Sequence, residues 1–86
     1  MEFLVYILYS KKFDKTYVGF TSSLIERFYS HNFHATKGFT IKFRPWKVVY
    51  IEVFETKSEA MAKEKWFKSR VGRESIKKIL SELNIR

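Results

Sequence analysis

Tyr6, Tyr17, Arg27, His31 and Glu64 are the side chains in this 86-residue chain whose types and spacing suggest a reaction. Arg27 and His31 are four residues apart, so on a helix they project together along one edge. A guanidinium beside an imidazole suits a phosphate better than a core. The guanidinium offers bidentate contact to phosphate oxygens and can hold charge that grows in a transition state. The imidazole can orient or deprotonate a nucleophile. Tyr6 and Tyr17 fall on segments that read as neighbouring strands, where a phenol can position water or take its proton. Glu64 falls within the apolar arc of a helix, where a carboxylate is costly unless something positive meets it. A divalent cation would do so, since magnesium takes one or two protein carboxylates and completes its shell with water and phosphate oxygens. A base, a phosphate clamp and a metal ligand form a complete set for phosphodiester hydrolysis. Each residue also has an ordinary reading. Arg27 can be a solvated charge paired with Glu26 or Asp14, His31 a half-buried histidine, the tyrosines core aromatics, and Glu64 a carboxylate at the edge of its stripe.

The elements that must position these residues can be read in order. Phe3 to Tyr9 is an unbroken apolar run of β-branched and aromatic residues, which predicts a central strand buried on both faces. Ser10 to Lys15 is polar and carries Asp14, as a hairpin connection should. Lys15 to Phe20 is the returning antiparallel strand, with Gly19 at its end. Ser23 and Glu26 form a capping box that opens a first helix, whose buried face would hold Leu24, Ile25, Phe28 and Tyr29. Residues 34–46 lack periodicity and read as a long basic loop, and 48–54 as a third strand. Thr56 and Glu59 form a second box, opening a helix to about Arg70 with Ala60, Phe67 and Val71 toward the core and Met61 further round. Gly72 is expected to break that helix, and a third to start near Arg73 with Ile76, Ile79, Leu80 and Leu83 as its apolar stripe. The order β-β-α-β-α-α predicts a single α+β domain over residues 1–86, a small three-stranded antiparallel sheet flanked by three helices.

Composition narrows the partners. A net charge of +8 attracts polyanions, of which nucleic acid is the leading candidate. Lys37, Lys42 and Arg44 in the loop, with Lys63 and Lys68 on the second helix, are the expected nucleic-acid contacts. Trp46 and Trp66 read as structural. There is no cysteine, which excludes disulfides and a thiolate zinc site. No stretch approaches a membrane span, and a cytoplasmic protein is the expectation.

Taken in order, the same residues resemble the GIY-YIG nuclease superfamily, specifically its small stand-alone members related to the nuclease module of the excision-repair endonuclease. Leu4-Val5-Tyr6 stands at the first motif, with leucine and valine where the family opens on glycine and isoleucine, and Tyr17-Val18-Gly19 at the second. Arg27, then His31 in Ser30-His31-Asn32, match the downstream helix, and Glu64 matches the metal-binding glutamate. The family's late asparagine has no match, because Asn84 lies far down the third helix. The resemblance implies a metal-dependent DNA endonuclease in which one tyrosine helps activate water, Arg27 binds the phosphate and Glu64 carries Mg2+ or Mn2+. A protein partner or a second copy would raise its charge-driven affinity for DNA. The rival expectation is a non-catalytic nucleic-acid-binding module that keeps the fold.

Overall fold

The computed structural model describes residues 2–24, 26, 32 and 42–84. Strand β1 (Phe3–Ser10), β2 (Lys15–Thr21) and β3 (Lys47–Phe54) precede helices α1 (Lys57–Phe67) and α2 (Arg70–Glu82). The sheet is antiparallel with order β2-β1-β3, so the first strand is the central one, as its unbroken apolar run predicts. The α+β class holds, with two helices described in full. Of the first helix expected after Ser23, only Leu24, Glu26 and Asn32 fall among the described residues, and Ile25, Arg27, Phe28, Tyr29 and His31 lie outside them.

Strand alternation divides β1 between two layers. Val5, Ile7 and Tyr9 pack with Val18, Ala60, Phe67, Ile76 and Leu80 to make the helix-side core. Tyr6 and Leu8 point the other way, to Trp46, with Tyr17, Leu24, Phe43 and Val48 at the margin. Both phenols thus lie on the face away from α1 and α2. The β1–β2 hairpin turns at Asp14, whose backbone is left-handed (φ 51°) and whose carboxylate accepts from the Tyr9 hydroxyl at 2.8 Å. A register shift opposite Ile7 and Leu8 lets both Val49 and Tyr50 of β3 pack on the helix side.

Thr56 caps α1 as its box predicts. Its hydroxyl accepts from the Glu59 amide at 3.2 Å and donates to the Glu59 carboxylate at 2.9 Å. At the other expected box, the Ser23 amide donates to the Thr21 hydroxyl at 2.9 Å, the place that box gave to Glu26. Two expectations are corrected at the α1–α2 junction. The break falls at Lys68 and Ser69 rather than at Gly72, and Gly72 sits buried in the first turn of α2. Ser69 caps α2, accepting from the Gly72 amide at 3.2 Å and donating to the Trp66 carbonyl. A Cβ on Gly72 would drive into the Trp66 carbonyl and the Phe67 Cα, so glycine is there for close packing. Because the helix phase resets at Ser69, Val71 leaves the arc of Ala60 and Phe67 and is 65% exposed. Along α2, Ile76 and Leu80 are buried and Ile79 packs at the margin, but Leu83 is exposed, so the stripe stops a turn early.

Candidate active site

The site is built first on the β1–β2 hairpin. Its register sets Tyr6 opposite Gly19 and Leu8 opposite Tyr17. Tyr6 is fully buried and its ring crosses the Gly19 backbone. A Cβ at Gly19 would lie 2.6 Å from Tyr6 Cζ and closer still to the hydroxyl oxygen. Any side chain there would displace the phenol, so the glycine of Tyr17-Val18-Gly19 serves the tyrosine of Leu4-Val5-Tyr6. Tyr17 lies beside it, the ring centroids 6.4 Å apart and tilted by 35°.

Trp46 closes the pair from the other side, its ring 6.3 Å from that of Tyr17. Asn32 fixes Trp46 by donating from Nδ2 to the Trp46 carbonyl at 3.1 Å and accepting from the Trp46 amide at 2.5 Å. That double bond between side-chain amide and backbone is buried, where hydrogen bonds to polar groups are most costly to lose. It ties the segment carrying Arg27 and His31 to the start of β3. Neither Asn32 nor Trp46 stood out as a site-forming residue in the sequence. Each carries an ordinary side chain there, and their pairing spans fourteen positions.

Glu64 lies on α1 between buried Ala60 and Phe67 in the helical arc, with its side chain 22% exposed. Lys68 Nζ stands 3.7 Å from its carboxylate, one turn on. Lys68 also lines a hollow of 300 Å³ with Tyr17, Val18, Phe67 and Arg73. The structure therefore brings Tyr6 against Tyr17, and Tyr17 into one hollow with the lysine that meets Glu64. Arg27, His31 and Lys37 lie outside the described residues.

The remaining expected contacts differ in how they are held. Lys42 is exposed and stands over the Phe43 ring at 5.8 Å, and Arg44 is half-buried. Lys63 is held on the β3 side, 3.8 Å from Glu52 and 4.4 Å from the centre of the Trp66 ring. Trp46 is buried, as a structural residue should be, whereas Trp66 is partly exposed. Tyr50 is not a candidate base. Burial, then its 2.6 Å hydrogen bond to Glu52 and that carboxylate's charge, push its hydroxyl up to about 12.

A divalent ion fits this donor set in one way. No group of three or more acidic or histidine side chains occurs among the described residues, which disfavours an all-protein cage there. A single carboxylate that keeps partial solvent access, with an ammonium as its neighbour, suits magnesium completed by water and phosphate oxygens.

The GIY-YIG catalytic domain family matches residues 2–78, and the chain belongs to that family. Its relatives include a UPF0213 protein of Limosilactobacillus reuteri (strain DSM 20016), 33% identical over 81 residues, covering 92% of this chain and 83% of that one. A second, from Clostridium perfringens (strain 13 / Type A), is 35% identical over 78 residues, covering 91% and 83%. The solution NMR structure of a UPF0213 protein from Bacillus halodurans is similar with a TM-score of 0.55 and 29% identity, over 92% of this chain and 85% of that one. Family membership makes this a domain of the nuclease superfamily whose members act on DNA.

Proposed function

We propose that this chain is a metal-dependent endonuclease that hydrolyses DNA phosphodiester bonds. The observation that carries the reading is the pairing of Tyr6 with Tyr17 across a glycine that no other residue can replace without moving the phenol. Tyr6 and Tyr17 orient the attacking water, and one of them accepts its proton. Arg27 binds the scissile phosphate and holds the charge that develops on it, while His31, one turn on, steadies the same group. Glu64 holds Mg2+ or Mn2+, which when bound supplies charge stabilisation at the phosphate oxygens. Lys68 neutralises Glu64 in the absence of the ion.

The test is cleavage of supercoiled plasmid in Mg2+, comparing the unaltered chain with Glu64→Gln and Arg27→Ala. Each substitution should lower the rate by about 100-fold or more, the scale of losing a transition-state contact. Activity that survives both substitutions overturns the assignment. DNA binding without any cleavage in Mg2+ or Mn2+ would make the chain a binding module that keeps the fold.

A further inference from the structure

We propose that DNA runs from the Tyr6–Tyr17 face along the outer edge of β2, its phosphates seated in a basic groove between that edge and the start of α2. The proposal rests on DNA being the partner, but not on the chain cutting it. Two hollows make the groove, one of 300 Å³ reaching Tyr17 and Lys68 and one of 240 Å³ reaching Lys15 and Lys77. They share Thr16, Arg73 and Ile76, so they are continuous. Four cations line the groove: Lys15, Lys68, Arg73 and Lys77. The one carboxylate in its lining, Asp14, already accepts the Tyr9 hydroxyl. Lys77 also meets Glu74 at 3.4 Å, but both side chains are more than 60% exposed, and such a pair gives way readily to a phosphate. α2 begins beside the groove with no acidic residue in its first turn.

The opposite edge of the sheet is β3, and its charge is differently disposed. Lys63 there is engaged by Glu52 and lies over the rings of Trp66 and Phe67. Strand order places the two edges on opposite sides of β1, so one strand of DNA leaving Tyr17 follows one edge or the other. Cations converging on a hollow that contains Tyr17 select the β2 edge.

Fluorescence anisotropy with a short labelled DNA duplex, in EDTA so that cleavage cannot intervene, tests this. Lys15→Ala/Arg73→Ala/Lys77→Ala should weaken binding about tenfold or more and lower the slope of log affinity against log salt by about two to three. A charge-matched variant on the β3 side, Lys47→Ala/Lys57→Ala/Lys63→Ala, should bind within about threefold of the unaltered chain. The charge-keeping Lys15→Arg/Arg73→Lys/Lys77→Arg should restore binding, and Arg73→Gln and Lys77→Gln alone should each lose part of it, which keeps the test open should the triple alanine variant unfold. Equal losses on both edges, a larger loss on the β3 side, or none on either overturns the proposal. Groove-dependent binding without metal-dependent cleavage would retain the groove and sink the nuclease reading, whereas cleavage with groove-independent binding would do the reverse.

Discussion

Gly19 is bare because Tyr6 needs the space. Gly19→Ala should therefore cost about 1–3 kcal/mol of stability, the usual range for overpacking a filled site. Tyr6→Leu should relieve part of that cost, so urea unfolding of the double variant should show a smaller loss than the two single losses added. Tyr50 carries a separate expectation. Its folded value is about 12 against an ordinary 10.0, so the folded state holds the phenolic proton more tightly than the unfolded one. The resulting stabilisation is full below pH 10 and is lost as pH rises toward 12. Tyr50→Phe should flatten the fall in unfolding midpoint across that alkaline window, read by thermal melts. At this scale the sequence exposed the chemistry-bearing types, because a phenol or a carboxylate is visible as a letter. It did not show that Glu64 would stand beside Lys68 or that Asn32 would grip Trp46, since such pairings depend on side-chain directions.

The strands and the Thr56 cap were legible because they are local. An eight-residue apolar strand and a hydroxyl three residues before a glutamate have the same physics in any fold. The α1–α2 junction was not legible, because glycine as a helix stop and glycine as a contact point look identical in sequence. Replacing Gly72 separates them. In an ordinary helix interior, glycine to alanine gains about 1 kcal/mol. Here the new methyl meets backbone at Trp66 and Phe67, which cannot swing aside as a side chain would. Gly72→Ala should instead lose about 2 kcal/mol or more in denaturant unfolding. A gain would mean that α2 can move away from α1 without penalty.

At the scale of the whole molecule, the sheet separates structure from chemistry. The helix-facing side chains of β1 build the core, and the opposite ones build the candidate site. Net charge pointed to a polyanion from composition alone, but charge cannot be assigned to an edge until the order β2-β1-β3 is known. No helix among the described residues is long and apolar enough to cross a membrane, in keeping with a domain that meets DNA. Strand order also has a consequence for biosynthesis. The ribosome makes the central strand before any other part of the sheet, yet Val5, Ile7 and Tyr9 are covered only when Ala60, Phe67, Ile76 and Leu80 have followed. For most of its translation the nascent polypeptide therefore carries a sticky aromatic segment with nothing to shelter it, the condition that chaperones exist to manage.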